Sequence, residues 1–203
     1  MHTFVLSHTK LTQLPFVPEI QLHLADEVVP IWEKSELEAP PFWAFAWAGG
    51  QALARYVLDN PALVAGQRVL DLASGSGLVA IAAARSGAAS VTANDIDGYA
   101  ESATTVNAKA NGVEVKFELG DLLGSTSDAD VILAGDIFYS REMSERILAF
   151  LDRSAVSLVL VGDPGRAYAP KEGFEVVADY DVPVNRDVED TSSKRTLVLR
   201  KRI

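Results

Sequence analysis

At 203 residues, 48% of them apolar and 23% charged, the chain is long enough for one well-cored domain and short for two. Its 18 Lys and Arg against 28 Asp and Glu leave a formal charge of −10, which excludes sequence-general binding to a phosphate backbone. There is no cysteine, and the three histidines (His2, His8, His23) all fall in the N-terminal segment, so disulfides, thiolate chemistry and a multi-histidine metal site are not expected.

Residues 1–40 read as a mixed preamble, within which 19–24 alternate polar and apolar as a short strand with one wet face. Pro40-Pro41 breaks regular structure ahead of the aromatic cluster Phe42-Trp43-Ala44-Phe45-Ala46-Trp47. After Gly49-Gly50, the placement of Ala52, Leu53, Tyr56 and Val57 predicts a helix over 51–58, ended by Asn60-Pro61. Strands are predicted at 68–72, 90–94, 113–119, 130–134 and 156–161, with helices at 78–85, 98–111 and 141–152 between them. The helix at 78–85 is apolar all round and the strand at 130–134 is continuously apolar, both signs of burial. This alternation implies right-handed βαβ units and a parallel sheet with helices on both faces. Two last β-rich runs, 174–180 and 194–200, flank a polar loop with Asp187, Glu189 and Asp190. No crossover helix separates them, so they are expected to pair antiparallel at the sheet edge.

The stretch Asp71-Leu72-Ala73-Ser74-Gly75-Ser76-Gly77 joins the first of these strands to the buried helix. Small residues there let backbone approach a ligand, and open parallel sheets bind ligands where strand order switches. Two ligand classes use this geometry. A dinucleotide wants G-x-G-x-x-G, which is absent, although Ala80 can mimic the last glycine. S-adenosylmethionine instead brings a cationic amino-acid end that Asp71 can meet, whereas a carboxylate there repels a pyrophosphate. Asp95, 24 positions after Asp71 at a strand end, is placed to take both ribose hydroxyls; Asp97 is assigned the cap of the following helix. Asp121, after Gly120, is placed to accept from an adenine amino group, with a plain turn as the alternative.

Together these residues resemble the class I, or seven-β-strand, S-adenosylmethionine-dependent methyltransferases, from residue 67 to the end of the chain. The resemblance implies an α/β, Rossmann-like, doubly wound and mostly parallel seven-stranded sheet with an antiparallel terminal strand. The chain is expected to form a single domain, 1–203, with an N-terminal extension at 1–40 and the cofactor-binding and catalytic core at 41–203. Ala73 departs from the superfamily, which usually has glycine there. The stretches Pro41 to Leu53, Ala93 to Asp97, Gly135-Asp136-Ile137-Phe138-Tyr139 and Gly162-Asp163-Pro164-Gly165-Arg166 more narrowly resemble the lysine methyltransferases of the electron transfer flavoprotein β subunit. That family implies a protein-lysine substrate, a cofactor-flanking role for Trp47, and a D-x-x-Y motif starting at Asp136. The expected cofactor-binding set is Trp47, Asp71, Ala73, Ser74, Gly75, Gly77, Asp95, Asp121, Leu122 and Gly135.

Methyl transfer is an in-line displacement that needs an aligned, desolvated and neutral amine, and lysine has a pKa of about 10.4. Asp136 and Tyr139 are the candidate catalytic residues. Asp136 would hold the lysine amine by a hydrogen bond, a carboxylate being a poor base at neutral pH. Tyr139 would wall the lysine channel or pack at its rim, and Phe138 is assigned to the core. The segment 162–166 is either a peptide-binding turn or a structural one, and Arg166 has no evident acidic cofactor group to meet. Alternatives are a methyltransferase acting on a ribosomal stalk protein or on a small molecule, a catalytically silent binding module, and a nicotinamide oxidoreductase. No apolar run reaches the roughly 20 residues of a membrane span and no secretory signal is evident. The expectation is a cytoplasmic monomer that binds S-adenosylmethionine and a lysine-bearing protein, and neither nucleic acid nor membrane. The plainer reading of the acidic charge is solubility; it would also favour a basic partner.

Overall fold

The structure, a computed structural model, describes residues 1–35, 40–184 and 191–202. The polar loop with Asp187, Glu189 and Asp190 lies outside the described residues.

The chain opens with α1 (His2–His8), the antiparallel pair β1 (Lys10–Gln13) and β2 (Gln21–Leu24), and α2 (Val28–Ser35). Of these only β2 was legible, through its alternation. A 3-10 turn over Phe42–Ala44 leads into α3 (Ala48–Asp59). Then follow β3 (Arg68–Leu72), α4 (Leu78–Arg85), β4 (Ser90–Asp95), α5 (Gly98–Ala110), β5 (Lys116–Leu119), β6 (Val131–Gly135), α6 (Arg141–Arg153), β7 (Leu158–Asp163), β8 (Phe174–Pro183) and β9 (Ser193–Lys201).

The main sheet has seven strands in the order β5-β4-β3-β6-β7-β9-β8. Pairs from β5 through β7 are parallel, and β9 is antiparallel to both β7 and β8. The two terminal strands pair antiparallel as expected, and β9 slips between β7 and β8, leaving β8 at the edge. Strand order reverses beside β3, so the loop after β3 sits at the switch point where open sheets bind ligands.

Apolar side chains cover both faces. On one, Leu53 and Val57 of α3 and Ala80 and Ala83 of α4 pack over Val69, Val91, Leu133 and Leu160. On the other, Ile147, Phe150 and Leu151 of α6 pack over Leu70, Ile132 and Val159, with Phe138 fully buried as assigned. The N-terminal segment shares its apolar clusters with this body: Val5 and Ile31 meet Ala100 and Ala103, and Leu14, Ile20 and Leu22 meet Leu78 and Ile81. Asn107 on α5 and Asn111, the residue that caps its C-terminal end, take the place of a strand neighbour along β2. The His23 N–H donates to Asn107 Oδ1 at 2.6 Å, the Gln21 N–H donates to Asn111 Oδ1 at 3.0 Å, and Asn111 Nδ2 donates to the Gln21 carbonyl at 2.6 Å.

Two boundaries differ from expectation for identifiable reasons. The strand predicted from residue 113 begins at Lys116, because the Val113 N–H is taken by the Ala108 carbonyl at the end of α5. The helix predicted from Gln51 begins at Ala48, ahead of Gly49-Gly50. Here the glycines serve close packing: a Cβ on Gly49 would lie 2.7 Å from Asp136 N and would overlap the Gly162 carbonyl, and one on Gly135 would lie 2.7 Å from Gly50 Cα. The first turn of α3 therefore rests directly on the backbone at the ends of β6 and β7.

Candidate functional site

A cavity of about 850 Å³ opens at the carboxyl ends of β3, β4, β5 and β6. It is lined by Trp47, Asp71, Ala73, Ser74, Gly75, Asp95, Asp121, Leu122, Gly135, Asp136 and Tyr139, so eleven of the twelve residues singled out above meet in one place. The exception is Gly77. It is the residue before α4, at φ 79, and a Cβ there would lie 2.8 Å from Thr104 Oγ1. Its place is behind the loop, where it lets the chain turn into the helix against α5, and it does not face the cavity.

The loop from Asp71 to Gly77 is held from three sides. Asp71, 1% exposed, accepts from the Ala80 N–H at 2.9 Å, the third amide of α4. This acid occupies a donor that a pyrophosphate would need, which disfavours a dinucleotide. Burial pushes its pKa up to about 8, with the Asp95 charge adding to the effect and the Ala80 amide opposing it. Asp95 accepts from the Gly75 N–H at 2.9 Å and from the Asp97 N–H at 3.1 Å, and burial raises its pKa too. Asn107, fully buried, donates to the Ser76 carbonyl at 2.9 Å. Ala73 stands at φ 56, a left-handed backbone that glycine adopts without strain. Asp97 caps α5 as assigned, accepting from the Tyr99 N–H at 2.8 Å.

The fit of this cavity to S-adenosylmethionine rests on its donor set. Ser74 Oγ and Trp43 Nε1 are buried without a hydrogen-bond partner on residues that line the cavity. Two orphaned donors beside a buried acid suit a ligand carrying both a carboxylate and an ammonium. Asp95 keeps lone pairs for a ribose, and Ile96, 69% exposed beside it, offers with Leu122 an apolar surface for a flat base. Asp121 lies at the rim with its carboxylate 2.5 Å from Arg146 Nη2 and accepting from the Leu123 N–H. Those bonds hold its pKa below the usual carboxylate range.

At the other end, Trp47 Nε1 donates to the Phe42 carbonyl at 2.9 Å, and Phe42 stacks on Tyr139 with ring centroids 6.0 Å apart. Phe42 and Tyr139 are both about half exposed, a two-ring aromatic wall at the cavity mouth. Burial and then the Asp95 charge raise the Tyr139 pKa, so its hydroxyl remains a donor. Asp136, at φ 62, receives two partners that sequence reasoning missed. Its Oδ2 accepts from the Gly49 N–H at 2.6 Å, capping α3 across the fold, and its Oδ1 accepts from Arg166 Nε at 2.7 Å. Arg166 also lines the cavity, and among the described residues this carboxylate is an acidic partner for it. The Gly49-Gly50 and 162–166 stretches carried a signal in their glycines, but only the fold joins them.

The sequence pattern of the family described as Ribosomal protein L11 methyltransferase (PrmA) matches residues 51–156. The electron transfer flavoprotein beta subunit lysine methyltransferase of Xenopus laevis is 44% identical over 173 residues, which are 81% of this chain and 70% of that protein. The Mus musculus protein of the same name is 41% identical over 175 residues, 82% of this chain and 69% of that one. Among solved structures, the magnesium protoporphyrin IX methyltransferase of Synechocystis with bound SAM shares the fold with a TM-score of 0.56 at 20% identity, over 76% of this chain and 80% of that one.

Proposed function

The chain belongs to the electron transfer flavoprotein β-subunit lysine methyltransferase family, and from that premise we propose that it is an S-adenosylmethionine-dependent protein-lysine N-methyltransferase acting on the electron transfer flavoprotein β subunit. The observation that carries this reading is one cavity with a buried acid–glycine loop at one end and an aromatic-walled carboxylate at the other. When bound, the cofactor would supply an electrophilic methyl group on a sulfonium sulfur, open to in-line attack by a neutral amine with the neutral thioether as leaving group.

Asp71 meets the cationic amino-acid end, and Ser74 Oγ and Trp43 Nε1 donate to its carboxylate. Asp95 holds the ribose, and Asp121 with Leu122 and Ile96 borders the adenine. Phe42 and Tyr139 border the lysine path, exclude water from its stem and present ring faces to its head group. Asp136 orients the amine. Its two hydrogen-bonded oxygens make it a fixed acceptor rather than a mobile base, and the lysine proton passes to water.

The test is transfer of labelled methyl from S-adenosylmethionine to purified electron transfer flavoprotein β subunit, with mass spectrometry of the product. Label on lysine is the expected result. Label elsewhere, or none, sinks the substrate assignment. The match to the ribosomal protein L11 methyltransferase pattern favours that ribosomal protein as the second reading, and it belongs in the same assay as a parallel acceptor.

A further inference from the structure

Asp136 is nearly enclosed, its side chain 7% exposed, while the Arg166 side chain beside it is 25% exposed and reaches the cavity. Nε and Nη2 of Arg166 both contact Oδ1, at 2.7 and 2.6 Å, while Oδ2 faces the first turn of α3. The turn that delivers Arg166 is itself built for the purpose. Asp163, 3% exposed at the end of β7, accepts from the Gly165 N–H at 2.9 Å, and Gly165 takes φ 80, so the chain doubles back and aims the guanidinium at Asp136. A planar guanidinium gives this fork; a lysine gives a single point charge.

This arrangement bears on a problem that the reading above creates. A carboxylate beside a substrate lysine favours its ammonium form, and an ammonium has no lone pair to attack with. We propose that Arg166 is a positioning residue for the methylation of lysine: it pins the Asp136 carboxylate against the start of α3 and offsets its charge, so that the acid orients the amine without holding it protonated. This rests on the lysine-methyltransferase reading. Besides Asp163 behind Arg166, the other charged or titratable side chains lining the cavity, among the described residues, are Tyr139 at the mouth, Asp71, Asp95, Asp97 and Tyr99, and the Arg146–Asp121 pair. The first turn of α3, packed directly on Asp136, brings no acidic side chain.

The experiment is steady-state methylation of the electron transfer flavoprotein β subunit from pH 6.5 to 10, with wild type, Arg166→Gln, Arg166→Lys and Asp163→Asn. Binding of S-adenosylhomocysteine by calorimetry gives a readout independent of turnover. For Arg166→Gln, kcat at pH 7 falls about tenfold, KM stays level or falls, and the midpoint of the rising limb of log kcat moves up by about one pH unit, so that the deficit closes by pH 9.5. Arg166→Lys keeps the wild-type midpoint, and calorimetric affinity stays within threefold throughout. Asp163→Asn loosens the turn and shifts the midpoint the same way by less, which keeps the idea testable if Arg166→Gln does not fold. A profile parallel to wild type in both Arg166→Gln and Asp163→Asn, or a KM that rises with kcat unchanged, overturns the inference while lysine methylation stands. A wild-type protein that places no methyl on lysine overturns the reading and this inference with it.

Discussion

Asp71 carries a strong pH dependence at the scale of single residues. Its folded pKa of about 8, against an ordinary 3.8, means that its contribution to stability is complete below about pH 4 and is lost as pH rises through 8. The ligand-free protein therefore loses stability from this group progressively between about pH 4 and 8 and no further above it. Cofactor binding reverses the preference, since an ammonium favours the ionised acid. Affinity should rise up to tenfold per pH unit from pH 6 towards 8, then fall once the ligand's own α-amino group deprotonates. Calorimetry in buffers of different ionisation enthalpy will show proton release near pH 7, and Asp71→Asn will abolish it. Ala73 stands two positions on, a side chain held at φ 56, a backbone that glycine adopts without strain. Ala73→Gly should raise stability by roughly 0.5–1 kcal/mol, the left-handed penalty less the greater chain entropy of glycine. A denaturant titration checks this, and unchanged stability would mean the loop relaxes around the methyl group.

Among the elements, α5 links the N-terminal hairpin to the cofactor loop through one buried side chain. Asn107 takes the His23 N–H on one side and donates to the Ser76 carbonyl on the other. Asn107→Ala leaves both groups short of a partner and should lower stability by about 2 kcal/mol. It should also weaken cofactor binding severalfold, because the loop loses a tether; loss of stability with unchanged affinity would show that the loop does not depend on the hairpin. The hairpin was only half legible in the sequence. β2 alternates, but all four residues of β1 are exposed and carry no hydrophobic period to read. The start of α3 was misread for a related reason. Gly49-Gly50 looks like a stop signal until Asp136 and the carbonyl of Gly162 are seen against it.

For the whole molecule, the consequence of placing the loop at the switch point is that ligand and fold are coupled. At a hundredfold excess over Kd, cofactor should add about 2.7 kcal/mol of stability. For a chain of 203 residues that is a rise of about 5–10 °C in Tm. Asp95→Asn should lose most of this rise while changing the ligand-free Tm little, as measured by thermal melts with and without S-adenosylhomocysteine. A full rise in that variant would remove Asp95 from the ribose site.

Local pattern was enough for much of this protein. Strand–helix alternation from residue 68 onward foretold the parallel sheet, because βαβ handedness leaves few alternatives. The acids Asp71, Asp95 and Asp121 and the small residues between Asp71 and Gly77 were readable because each sits at a strand end, where sequence position and spatial position coincide. Tertiary structure alone decided which groups share the carboxylate of Asp136. Gly49, Asp136 and Arg166 come from α3, the end of β6 and the end of β7, 87 and 30 positions apart along the chain. Their meeting depends on glycine backbones packing at closest approach, a long-range contact with no local period in the sequence. It also decided that Gly77 lies behind the loop: the turn that glycine permits was legible, but not that Thr104 of α5 packs against it and leaves no room for a side chain.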